Sequence, residues 1–78
     1  MANSRAVHLA AELRAARRHR NLTQSQLAST SGVSVRTIHQ IEREKATAKA
    51  WQLIALAEAL GVPADTFIHA SHDQARSA

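Results

Sequence analysis

Apolar residues recur along this chain at helical spacing. Val7, Ala10, Leu13 and Ala16–Arg17 mark one such stripe, with Leu9 beside it, and predict a first helix over residues 7–19. Asn21 suits the end of that helix, because Asn tolerates the left-handed backbone found there. Thr23-Gln24-Ser25-Gln26 has the form of a capping box and predicts a second helix, with Leu22 as a staple and Leu27 and Ala28 turned inward. Gly32 permits a sharp turn that other residues resist. Ser34 then caps a third helix running to about Arg43, with Ile38 and Ile41 inward. After a loop over residues 44–47, a fourth helix places Ala50, Leu53, Ile54, Ala57 and Leu60 on one face, and Gly61 stops it. Pro63 opens a short fifth helix containing Phe67 and Ile68. Residues 1–6 and 70–78 are expected to form a flexible arm and tail around one domain over residues 7–69. The pattern predicts an all-α, compact five-helix bundle, in which helices 2 and 3 bend around Gly32 as a helix-turn-helix.

Composition agrees with this and narrows the function. The 78 residues suffice for one small domain. Apolar residues make up 45% and aromatic ones only 3%, so the core must be built from aliphatic side chains and Ala. Without cysteine there is neither a disulfide framework nor a thiolate metal site. No stretch approaches a membrane span and no secretory signal opens the chain, so a cytoplasmic protein is expected. Ser25, Ser29 and Ser31 lack the Gly-x-Ser-x-Gly elbow of a hydrolase, and no glycine-rich phosphate loop is present. Neither an enzyme nor a cofactor is expected. His69-x-x-His72-Asp73 has metal-ligating residue types, but no cysteine and a fraying position speak against a metal.

Charge is polarised. Arg5, Arg14, Arg17, Arg18 and Arg20 stand against Glu12 in residues 5–20, a local +4. Residues 36–49 carry a local +2, and residues 50–78 a local −2. Basic clustering favours a polyanion through counterion release, although a charge run is also how a solvated helix face reads.

The third helix has the build of a major-groove reader. Its inner face is anchored by Ile38 and Ile41, which leaves Val35, Arg36, Thr37, Gln40 and Arg43 near the outer side. Arg can pair with guanine, Gln with adenine, and Val35 can touch a thymine methyl. Gln24 stands at the start of the second helix, where free amides and the helix dipole attract phosphate. Ser34, Arg43 and Lys45 flank the third helix as candidate phosphate contacts.

The run Leu22-Thr23-Gln24-x-x-Leu27-Ala28 … Gly32-Val33-Ser34 … Ile38 … Ile41-Glu42 … Leu56-Ala57-x-Ala59-Leu60-Gly61-Val62 resembles the Cro/CI/Xre family of phage and bacterial repressors. The likeness covers about residues 7–68. It implies a lambda-repressor-like fold, with the third helix in the major groove and dimers on palindromic DNA. By the resemblance, Gln24 meets phosphate, Val35, Arg36 and Gln40 meet bases, and Arg43 and Lys45 meet the backbone. It also implies a partly buried ion pair between Arg17 and Glu42 that aims the third helix. The sequence departs from the family pattern twice. Glu44 stands where a glycine is usual, and Lys49 replaces the usual Ser or Thr cap, so Thr47 is expected to start the fourth helix early.

Two features stay open. Trp51 either packs on the loop before it or meets a partner, together with Pro63 and Ala64 as a candidate dimer surface. His39 either approaches phosphate as imidazolium or simply faces solvent. The function expected is a sequence-specific transcriptional regulator, a repressor binding double-stranded DNA as a homodimer. An antitoxin that also binds a toxin, and an interaction module that has lost DNA binding, are the alternatives.

Overall fold

The computed structural model describes residues 4–76, with side chains described for residues 6–70. Five helices follow one another: α1 (Ser4–His19), α2 (Gln24–Ser31), α3 (Val35–Glu42), α4 (Ala50–Leu60) and α5 (Ala64–Arg76). No strand occurs among the described residues. α1 lies along α5, α5 packs on α4, and α2 bridges α3 and α4, while α3 rests against α1. Leu9 and Leu13, Leu27, Ile38 and Ile41, Leu56 and Leu60, and Phe67 bring one fully buried core together from all five helices. Each such side chain contributes about 1.5–3 kcal/mol by leaving water.

The helix ends follow from the capping chemistry. Thr23 Oγ1 accepts from the Gln26 N–H at 3.0 Å, and Gln26 Oε1 accepts from the Thr23 N–H at 2.8 Å, which closes the capping box of α2. Ser34 Oγ accepts from the Thr37 N–H at 3.1 Å and donates to Thr37 Oγ1 at 2.9 Å. Gly32, at φ 79°, turns the chain between α2 and α3, and its N–H donates to Ala28 O. Three helices end in the same paired motif. Asn21 and Leu22 donate to Arg18 O and Arg17 O, Glu44 and Lys45 to Ile41 O and Gln40 O, Gly61 and Val62 to Glu58 O and Ala57 O. The motif needs a left-handed residue, here Asn21 at φ 56°, Glu44 at φ 64° and Gly61 at φ 70°.

Several expectations need correction. α1 begins at Ser4, not at residue 7, because Ala6 is buried and extends the apolar face by a turn. That face is Ala6, Leu9, Ala10 and Leu13, so Leu9 lies in the stripe and Val7 at its edge. α4 is rotated from the expected register: Leu53, Leu56, Ala57 and Leu60 face inward, Ala50 is exposed, and Ile54 is 42% exposed. Thr47 does not cap α4, which starts at Ala50 after Lys49. Lys49 has no acceptor oxygen to offer, and Gln52 Oε1 instead accepts the Lys49 N–H at 2.9 Å. α5 is not short, and residues 70–76 continue it instead of forming a tail, with Ala70 buried one turn beyond Phe67.

Candidate nucleic-acid interface

α3 is fixed from its inner side by a clamp that converges on Glu42. Arg17 Nε donates to Glu42 Oε2 at 2.7 Å and Nη2 to Oε1 at 2.8 Å, a two-pronged ion pair between α1 and the last residue of α3. Arg17 Nη1 reaches Leu22 O at 2.8 Å, so the same guanidinium also holds the chain leading into α2. Only 13% of the Arg17 side chain and 3% of the Glu42 side chain is exposed. The hydrogen bond to Glu42 holds Arg17 above its ordinary pKa, against the opposite pull of burial. Arg14 Nη1 donates to the Glu42 carbonyl at 2.7 Å, placing a cation where the α3 dipole is negative. Gln24 Nε2 completes the clamp, donating to Glu42 Oε1 at 3.2 Å. The first residue of α2, the last of α3 and two arginines of α1 therefore share one junction.

With α3 held there, its opposite side is presented to solvent. Arg36, His39 and Arg43 are exposed, Val35 is 45% exposed, and Thr37 and Gln40 are half-buried. Ser34 and Lys45, at either end of the helix, are exposed as well. The Thr37 hydroxyl accepts from Ser34, so its remaining capacity toward a ligand is its O–H donor and one lone pair. Gln24 is half-buried, with one N–H of its amide committed to Glu42 and its Oε1 lying 3.3 Å from His39 Nδ1. The backbone N–H groups of Gln24 and Ser25 have no acceptor among the described residues, as befits the first turn of a helix. Trp51, on α4, is 57% exposed; Pro63, before α5, is exposed, and Ala64, at its start, is half-buried.

Sequence reasoning missed two members of this site. Arg14 as a cap on α3 has a signal in hindsight, since Arg14 and Arg17 lie three residues apart on one face of α1. The Gln24–Glu42 bond spans 18 residues and has no local signal. The described residues include no group of three or more His, Cys, Asp or Glu that could hold a metal, and the side chains of His72 and Asp73 lie outside them. No helix among the described residues is long and apolar enough to cross a membrane.

Two short helices meeting at a left-handed glycine, with a polar outer face on the second, define a helix-turn-helix protein. The family model described as helix-turn-helix matches residues 13–67. The protein belongs to this Cro/CI/Xre-type helix-turn-helix family of DNA-binding regulators. Comparison with curated proteins and with solved structures gives no match.

Proposed function

We propose that the protein is a transcriptional repressor that binds a palindromic operator as a homodimer, with α3 of each subunit in the major groove. The observation that carries this reading is the clamp on Glu42, which fixes α3 while leaving its outer face unencumbered. In this reading Arg36 and Gln40 read base edges, with Val35 and Thr37 beside them. Gln24, through its second amide N–H and the amides of the α2 first turn, binds phosphate together with Ser34, Arg43 and Lys45. One such domain reads only a few base pairs, so two half-sites roughly 34–36 Å apart are needed for useful specificity. In this reading the subunits meet through Trp51, Pro63 and Ala64.

Selection of bound sites from a random duplex pool tests this directly. A palindromic consensus is expected, whereas no enrichment would remove the reading. Arg36→Ala or Gln40→Ala should then cost about 1–3 kcal/mol of discrimination at one base pair. Lys45→Ala should weaken all duplexes alike and lower the salt slope by about 0.9. A protein that stays monomeric in light scattering, both free and on the selected duplex, would remove the dimer.

The exposed pair Trp51 and Ile54, one turn apart on α4, supports a second reading in which the protein is an antitoxin that also holds a toxin. Partner binding that survives Arg36→Ala and is lost with Trp51→Ala would favour it.

A further inference from the structure

The network around Glu42 bears on the two roles left open for His39. A carboxylate only accepts hydrogen bonds, so the Gln24 amide must turn its nitrogen toward Glu42 Oε1, at 3.2 Å. Its oxygen then faces His39 Nδ1 at 3.3 Å. Two acceptors cannot share that contact, so Nδ1 carries the proton and Nε2 is the nitrogen left for the outside. His39 is exposed, three residues after Arg36 and four after Val35, which puts it on the α2-facing border of the outer face of α3.

We propose that His39 is a further phosphate-binding residue, positioned by Gln24 and acting through Nε2 as imidazolium, so that DNA binding takes up a proton. The inference rests on the DNA-binding reading above. As the neutral Nδ1–H tautomer, His39 turns a lone pair toward an approaching phosphate oxygen. One proton from solvent turns Nε2 into a charged donor, and the phosphate oxygen accepts it. Histidine is the side chain that gains charge between about pH 5 and pH 8. The charged groups brought to this end are Arg14 and Arg17 from α1, and Arg36, Glu42 and Arg43 from α3, while α2 carries none. Arg17 and Glu42 are spent on each other, which leaves Arg14, Arg36 and Arg43 as the other cations available to an approaching phosphate. The sign follows. Phosphate raises the imidazole's pKa in the complex. The added affinity is therefore complete below the free-protein pKa and is lost as pH rises through that of the complex.

Two measurements on the full chain test this. Long-range nitrogen–proton NMR of the free protein should show His39 as the Nδ1–H tautomer, and Gln24→Ala should shift it away from that form. Fluorescence anisotropy with a labelled duplex from the selected pool, between about pH 8 and pH 6, reads the proton uptake. Wild type should gain more affinity on acidification than His39→Gln, which keeps a neutral donor. The difference should be roughly tenfold for each unit by which DNA raises the imidazole's pKa. Identical pH profiles for the two proteins on bound DNA overturn the proposal, as does an Nε2–H tautomer in the free wild type. Absence of DNA binding at every pH removes the DNA-binding reading itself, a result distinct from either. The His39→Gln comparison stands even if Gln24→Ala fails to fold.

Discussion

Glu42→Gln isolates the charge that holds α3 to α1. The amide has almost the shape of the carboxylate, so no cavity opens, and the packing of Ile38 and Ile41 is untouched. What is lost is the anion between Arg17 Nε, 2.7 Å from Oε2, and Arg17 Nη2, 2.8 Å from Oε1. The two side chains are 13% and 3% exposed, which places the pair among buried ones. Removing one partner of such a pair costs about 3–5 kcal/mol. The low end applies here, because Arg17 keeps Leu22 O and an amide oxygen can still accept one bond. A loss of about 3 kcal/mol compares with a total stability of roughly 4–12 kcal/mol for a chain of this size. It corresponds to a fall in Tm of about 12–24 °C. Urea unfolding followed by circular dichroism, with calorimetry for Tm, measures it. Because the Glu42 bond raises Arg17, its contribution is complete below the ordinary arginine pKa and is lost only as pH rises beyond it, so the Arg17 side of the pair stays constant through neutral pH. Replacing both partners, Arg17→Met with Glu42→Leu, should recover most of the stability. The double variant should still bind DNA poorly if the clamp aims α3. A loss below about 1 kcal/mol for Glu42→Gln, with unchanged DNA affinity, would put the pair in the class of surface bridges and refute this reasoning.

Two further outcomes concern the left-handed residues. Glu44→Gly should stabilise the fold by about 0.5–1 kcal/mol, since it relieves a left-handed non-glycine residue but loosens the unfolded chain, and a lowered urea midpoint would contradict this. Gly61→Ala should cost about 1–2 kcal/mol, because φ is +70° and the new Cβ would stand 2.9 Å from Arg20 Nη1, which now caps Leu60 O at 3.2 Å; an unchanged Tm would show that this end of α4 has another path.

What could be read from the chain was local. Thr23 with Gln26, Ser34, Asn21, Gly32 and Gly61 each act within four residues of themselves, and the backbone follows their chemistry. Ile38 and Ile41 were legible because α3 has one strongly apolar side. α4 was harder, since Ile54, Leu56 and Ala57 are all apolar and periodicity alone leaves the rotation open. It is settled by which face meets α2 and α5. Arg14 on Glu42 O and Arg20 on Leu60 O span 28 and 40 residues; Arg14 at least shares a face of α1 with Arg17, whereas nothing near Arg20 announces its partner. Gln24 stands where a phosphate contact is expected, yet its amide is already engaged with Glu42 and lies beside His39.

The packing of α1 along α5 sets an order on how the protein can come into being. α2 and α3, the helix-turn-helix pair, are made before Phe67, whose fully buried ring on α5 closes the core. α3 is therefore synthesised before the residue that completes the core it rests on. A chain stopped at Gly61 should therefore show no cooperative unfolding transition.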